Sequence, residues 1–277
     1  MTRIDVLDHG FLELVDVMGN DAAIVDAARI SISGENVKSV QTDEQLIRYL
    51  MRHRHTTPFE MVEFKFRAAM PMFVARQWVR HRTASINELS ARYSALPAVY
   101  YVPDPADINH QAVVNKQGRL DEQMEDRLDH RLAFEAEAAS SFSMYQQRLD
   151  ANMARELARI NLPLSTYTAW IWKANLHNIF HFLGLRAHAH AQMEIRVYAE
   201  AMAELVKEHV PIAYQAYEDY RVSAVTFTGP DRKAIRLIMS VDGVGLNDDR
   251  IRACFPTKRE HAEFKTKWEE LLPEGEQ

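Results

Sequence analysis

Four arginines, a histidine, an Asn-Glu pair and three serines crowd the segment from Arg76 to Ser94. Guanidinium groups stay charged at any working pH and present a planar fork of donors that matches phosphate oxygens. Helix-like spacing over residues 76–80 puts Arg76 and Arg80 on one face, a turn apart. From Asn87 onward the helical pattern fades. An extended chain there would turn Glu88, Ser90 and Arg92 to one side and Leu89, Ala91 and Tyr93 to the other. One face then carries an acceptor, a hydroxyl and a guanidinium, which suits a polar ring with N–H and C=O groups plus a phosphate. A solvated basic turn is the plain alternative. Against it, the segment follows the apolar run Ala68 to Val74, and so enters from the core.

The histidines form a second group. His177 and His181 sit four apart on an expected helix, and His188 and His190 follow. Such a set can bind metal, and a metal-dependent hydrolase using His177, His181 and His190 is one reading. Satisfied structural histidines are another, and cofactor contacts through the ring donors and flat faces are a third. The metalloprotease pattern wants a glutamate after the first histidine, where this chain has Asn178. No Asp or Glu lies between Asn175 and Gln192. Arg159, just before Leu162-Pro163-Leu164, and Arg186 both fall at expected helix ends. Taken alone, each could simply complement a helix C-terminus, a contribution of about 0.3–1 kcal/mol. Gly184, Gly243 and Gly245 lack the strand–turn–helix setting of a dinucleotide fingerprint. Cys254 reads as structural, and no His-Asp pair is evident to activate Ser90.

The elements that must position these groups follow from patterning. Residues 3–18 read as strands around a turn at His9-Gly10. Asn20 or Asp21 caps a helix to about Ser31, and Thr42 to Gln45 form a capping box opening a helix to about Arg54. Val62 to Ala68 alternates as a half-exposed strand, and Pro71 starts the helix leading into the arginine-rich segment. Ala98 to Val102 reads as a short strand, 103–119 as an exposed loop, and Leu120 to Leu149 as a long charged helix. Asn152 to Ile160 adds a shorter helix, and Leu164 to Lys173 reads as a strand. Helices then cover Asn175 to Arg186, Ala189 to His209, with Glu194, Arg196 and Glu200 outward, and 211–220. Gly229-Pro230 and Asp242 to Gly245 read as loops, and 257–271 as a charged helix. The expected class is α+β: a single domain with a mainly antiparallel sheet packed against long helices, covering 1–221. Residues 222–277 form a C-terminal extension without an assigned role.

Composition narrows the function. The chain has 277 residues, 47% of them hydrophobic, enough for a substantial core. A formal charge of −6 argues against a general nucleic-acid binder, for which Arg76 to Arg92 would be the phosphate track. One cysteine excludes an internal disulfide and fits a reducing compartment. Met1 to Gly10 has no apolar run of a signal peptide, and no stretch reaches membrane-span length. A cytoplasmic protein with no nucleic-acid or membrane partner is expected.

The pattern Arg80-His81-Arg82, then the seven residues Thr83 to Leu89, then Ser90-Ala91-Arg92-Tyr93 resembles the signature of the flavin-dependent thymidylate synthases. The resemblance extends to Asp26 to Ser31, the His55-x-Thr57-Pro58-Phe59-Glu60 segment, Arg159 before Leu162-Pro163, Asn175, and the run Arg186-Ala187-x-x-His190-Ala191. It implies reductive methylation of dUMP to dTMP, with 5,10-methylenetetrahydrofolate as one-carbon donor. Reduced FAD, recharged by NADPH, would be the hydride source. It implies that Gln77, Arg80, Glu88, Ser90, Ala91, Arg92 and Arg159 bind dUMP, and that Arg186 contacts the pyrimidine and favours ionisation of its ring nitrogen. It further implies flavin contacts from Ser31, His55, Thr57, Glu60, Arg80, His81, Arg82, Thr83, Glu88, Asn175, His177, His181 and His190. A homotetramer with active sites at subunit interfaces is implied as well. Position 91 is often glycine in that family, and Ala91 narrows the backbone there.

Overall fold

The structure is a computed structural model describing residues 2–30, 42–113, 117–239 and 248–269. It divides into two compact units, Met1–Val222 and Ser223–Gln277.

The first unit opens with β1 (Arg3–Val6) and β2 (Gly10–Met18), then α1 (Asp21–Arg29) and α2 (Asp43–Arg52). After a 3-10 turn at Thr57–Met61 come β3 (Glu63–Pro71), α3 (Met72–Trp78) and β4 (Ser85–Glu88). A small hairpin, β5 (Asn109–Gln111) and β6 (Arg119–Gln123), precedes α4 (Arg127–Asp150), α5 (Arg155–Ala158) and β7 (Tyr167–Asn175). The unit closes with α6 (Leu176–Arg186), α7 (Met193–His209) and α8 (Pro211–Tyr217).

Five strands form one antiparallel sheet in the order β1-β2-β3-β7-β4. Alternation makes it one-sided: Phe64, Phe66, Ala68 and Met70 of β3 and Trp170, Trp172 and Ala174 of β7 are buried, while Lys65, Arg67 and Ile171 look outward. A bulge between Leu14 and Asp16 shifts the β2 register, so that Leu12, Leu14 and Val17 pair with Ala68, Phe66 and Phe64 on the core face. Without the extra residue, every later side chain would point the wrong way. Helices α3, α6 and α7 cover that face. Gly10 begins β2 where a side chain has no room: an added Cβ would lie 2.6 Å from the Val6 carbonyl oxygen and 2.9 Å from that of Ala69. The Tyr198 hydroxyl occupies the space, donating to Ala69 O at 2.7 Å.

The local signals act as their chemistry requires. Asn20 caps α1, and the Thr42–Gln45 capping box is complete in both directions. The α+β class with an antiparallel sheet is what the structure contains. Several expectations need correction. Residues 103–119 are not one exposed loop but include a 3-10 turn and β5, with β6 beginning at Arg119. The hairpin delays α4 to Arg127. Ala98 to Val102 contributes only an isolated bridge, Tyr100 to Thr166. Glu194 points inward, 4% exposed, held by Tyr101 and Arg119 through its Oε1. The helical period there was legible, but not the hairpin arginine that lets a carboxylate be buried.

The second unit has α9 (Gly229–Met239), α10 (Asp248–Arg252) and α11 (Lys258–Glu269) around Ala234, Phe255 and Phe264. Gly229-Pro230 is the first turn of α9 rather than a loop, as a proline at that position allows. Lys267 pairs with the buried Asp231 at 3.0 Å. Cys254 packs at the edge of this core, consistent with a structural role. Asp242 to Gly245 lie outside the described residues.

Candidate active site

The arginine-rich segment is hung from one side chain. Trp78, fully buried at the end of α3, packs against Trp170, Trp172, Phe182 and Tyr198 with ring centroids 5.4, 5.7, 4.9 and 6.1 Å away. With the indole anchored, Arg76, Arg80 and Arg82 are carried to the surface. Among the described residues no side chain pairs with any of these three. Exposed guanidinium groups without an acid partner are free to take a phosphate.

Beside them, Arg186 at the end of α6 donates from Nε to His81 Nε2 at 3.1 Å and from Nη2 to the Gln77 carbonyl at 3.4 Å. An arginine has no acceptor, so the His81 proton must sit on Nδ1, which is buried without a partner. Burial, then the Arg186 charge, then His181 lower the His81 pKa to about 4. His81 is therefore neutral near pH 7. Burial also lowers Arg186 from its ordinary value. The Gln77 side chain is hydrogen-bonded to Gln192.

The sign of the linkage for His81 is fixed. The unfolded chain binds its proton near pH 6.5 and the folded one only near 4. Its contribution is complete above about pH 6.5 and is lost as pH falls toward about 4. His177, lowered chiefly by burial, acts in the same direction. Thermal unfolding followed between about pH 7 and pH 5 should show Tm falling, with His81→Gln removing part of that slope. A variant with an unchanged slope would count against this assignment.

The second part of the signature lies along β4 and the turn after it. Glu88, Ser90, Ala91, Arg92 and Arg159 line one cavity of about 410 Å³ with Thr166, Tyr167 and Thr168. The extended reading beyond Leu89 fails. Tyr93 N and Ser94 N both donate to Ser90 O, at 3.1 and 3.4 Å, making a turn, and Arg92 N donates to Ser90 Oγ. The turn still brings Glu88, Ser90 and Arg92 to one cavity, by curvature rather than alternation. Thr168 Oγ1 donates to Glu88 Oε1 at 2.7 Å, orienting the carboxylate. Arg92 meets Glu156 at 3.2 Å in an exposed pair that a ligand can displace at little cost. Arg159 has no partner among the described residues. Ala91 is buried, and it is not among the non-glycine residues with positive φ, so alanine fits without strain.

A third group surrounds a cavity of about 500 Å³ between α2, α6 and α8. It is lined by His55, His177, His181 and His188, with aromatic walls from Phe180, Tyr214 and Tyr217. Glu60 lies close enough to His177 to favour its protonated form, against the effect of burial. Thr57 and Glu60 sit on the 3-10 turn just outside the lining. Asn175 is engaged locally, its Oδ1 capping α6 through Asn178 N at 3.0 Å. His190 lies beside His188, with tilted rings 5.0 Å apart, and does not line this cavity, and Thr83 is exposed. Ser31 lies outside the described residues. Among the described residues no group of three His, Cys, Asp or Glu is placed to hold a metal. The hydrolase reading of His177, His181 and His190 therefore lacks a ligand set. Sequence reading missed Arg54, Tyr214, Tyr217 and Arg221 on the lining, and had His188 only as a member of the histidine group. The one available signal was the position of Arg54 between His53 and His55.

The donor set fits a flavin nucleotide: unpaired cations for phosphates, imidazoles for ring heteroatoms, and a cavity with aromatic walls within the usual range for ligand sites. In the single chain neither Arg80 nor Arg186 lines either cavity, but His81 meets the cavity-lining His181 with ring centroids 5.6 Å apart, so that only the Glu88–Arg92 cavity stands apart from the histidine-lined one.

Residues 13–212 match the family model described as thymidylate synthase complementing protein. A flavin-dependent thymidylate synthase of Ruegeria pomeroyi is 52% identical over 86% of this chain and 80% of that protein. One of Treponema denticola is 50% identical, over 87% and 91%. One of Rickettsia conorii is 44% identical over 97% of this chain and 92% of its own, an alignment that runs well past Val222. Among solved structures, a UMP/dUMP methylase of Streptomyces cacaoi bound with 5-Br dUMP superposes with TM-score 0.71 at 34% identity. That match covers 78% of this chain and 98% of that one.

Proposed function

The chain belongs to the family of the flavin-dependent thymidylate synthases, and from that premise we propose how its residues carry out the reaction. It methylates dUMP to dTMP and depends on a flavin. The observation that carries the residue assignment is the cavity joining Glu88, Ser90, Ala91, Arg92 and Arg159, an acceptor, a hydroxyl and two guanidinium groups around one space.

In our reading Arg92, Arg159 and Arg80 take the dUMP phosphate. Ser90, the Ala91 backbone, Gln77 and Glu88, oriented by Thr168, hold the sugar and base. Arg186 faces the pyrimidine and stabilises negative charge developing on the ring as its nitrogen ionises. His81, neutral and fixed as the Nδ1–H tautomer, accepts from Arg186 and holds it in place. Ser31, His55, Thr57, Glu60, Arg80, His81, Arg82, Thr83, Glu88, Asn175, His177, His181 and His190 would hold FAD. When bound and reduced, the flavin supplies the hydride. The protein positions, polarises and excludes water. Methylenetetrahydrofolate is the one-carbon donor and NADPH the reductant in this proposal, and the protein acts in the cytoplasm. No helix among the described residues is long and apolar enough to cross a membrane.

The separation of the Glu88–Arg92 cavity from the histidine-lined cavity within one chain supports a homotetramer whose active sites are completed across subunit boundaries. Residues 1–221 would be the catalytic domain and 222–277 an appended unit. The decisive experiment is an absorbance spectrum from about 300 to 550 nm before and after adding FAD, then dUMP. Flavin bands that shift when the nucleotide binds are the expected result. A colourless protein indifferent to both would overturn the proposal.

A further inference from the structure

Arg54 has φ 61°, in the left-handed region that residues with a Cβ seldom occupy. The backbone is locked there: Arg54 N donates to Met51 O at 3.2 Å and His55 N to Leu50 O at 2.9 Å. Strained positions of this kind concentrate where a side chain has a task. Arg54 lines the same cavity as Arg221, in the π-helical turn Glu218–Val222 after α8. Burial first, then the charge of Arg54, lower Arg221 from its ordinary value, so the two cations feel each other.

Among the described residues neither guanidinium group has a hydrogen bond or an ion pair. The acids of that turn are occupied elsewhere, Glu218 by Lys207 at 3.3 Å and Asp219 by Arg48 at 2.7 Å. Part of the wall is of opposite character: Phe180 and Tyr217 stack at 4.4 Å with a 4° interplanar angle, offering a flat apolar face. One cavity thus presents an aromatic surface and an uncompensated pair of guanidinium groups. Glu218 lines the cavity too but is held by Lys207, so two like charges without an ion-pair partner of their own raise the energy of the free protein, and a ligand with multiple negative charges relieves this.

We propose that Arg54 and Arg221 form a recognition site for the multiply anionic end of a reactant that enters beside the flavin. This rests on the flavoenzyme reading above. The chemistry shared by the two reactants concerned is a ring system joined to a terminal anion. The anion would be the glutamyl carboxylates of the folate or the extra phosphate that distinguishes NADPH from NADH. Arg54 and Arg221 set the preference for the highly charged form.

The test uses calorimetric titration of the flavin-loaded full chain and two variants, Arg54→Gly and Arg221→Gln. The titrants are NADPH, NADH, and tetrahydrofolate with one or three glutamates. Each variant should weaken either NADPH or the triglutamyl folate by about tenfold, and the less charged partner distinctly less. Which pair responds identifies the source of the anion. Arg54→Gly should at the same time raise Tm, because glycine adopts this φ without strain. Lost recognition is thereby separated from a damaged fold. Wild-type affinities in both variants for all four ligands would overturn the proposal. A wild-type protein that takes up no flavin would instead overturn the underlying reading, and would be seen in its absorbance before any titration.

Discussion

Substituting Arg186 by glutamine should lower kcat for dTMP formation by about 10²–10³-fold, the usual cost of removing one preorganised group that stabilises developing charge. The expectation follows from where the guanidinium is held. Its Nε is tied to His81 and its Nη2 to the Gln77 carbonyl, so it is fixed in direction before any ligand arrives. A positive charge fixed in a partly buried site costs no reorganisation at the moment of reaction. Arg186→Lys keeps the charge and loses the planar fork, and its rate should lie between the two. A structural role would not account for a second readout. Because the Arg186 charge helps to depress His81, the His81 pKa seen by NMR should rise from about 4 in Arg186→Gln. A kcat near wild type, with only KM raised, would make Arg186 a binding group rather than a catalytic one.

Trp78→Ala should destabilise the protein by about 3–5 kcal/mol, read as a drop in the denaturation midpoint at an unchanged slope. The indole is fully buried and touches β7, α6 and α7 together. A cavity of that size cannot close while four aromatic neighbours are held by the sheet and helices. Trp78→Phe should cost much less, because the Trp78 Nε1–H is buried without an acceptor and its loss removes an unsatisfied donor. Since Trp78 anchors the turn carrying Arg80 and His81, flavin affinity should fall with stability in the alanine variant. An alanine variant as stable as wild type would show that the anchor is elsewhere.

Much of this was legible because it is local. The capping box at Thr42, the alternation before Ala68 and the proline opening α3 each act through neighbours in sequence, and each element stands where those signals put it. The signature residues were legible because their spacing is fixed. What escaped depends on partners far along the chain. Glu194 reads as an outward residue of an amphipathic helix until Arg119, 75 residues earlier, is brought against it. Arg221 and Arg54 share a cavity only because α8 packs on α2. The turn at Ser90 was hidden for another reason: an extended strand and a tight turn can expose the same three side chains to one ligand.

The strand order has a consequence for how the chain reaches this state. β3, ending at Pro71, has β7, beginning at Tyr167, as its inner neighbour, and β4 can join the sheet only through β7. Loop-closure entropy must therefore be overcome across about a hundred residues before the centre of the sheet forms, which makes such pairings slow. On a ribosome, β1 to β3 must wait with one edge open until residue 175 has emerged. Only then can the segment from Ser85 to Glu88 dock and Trp78 find its aromatic neighbours. The half of the molecule that carries the arginines is thus made early and ordered late.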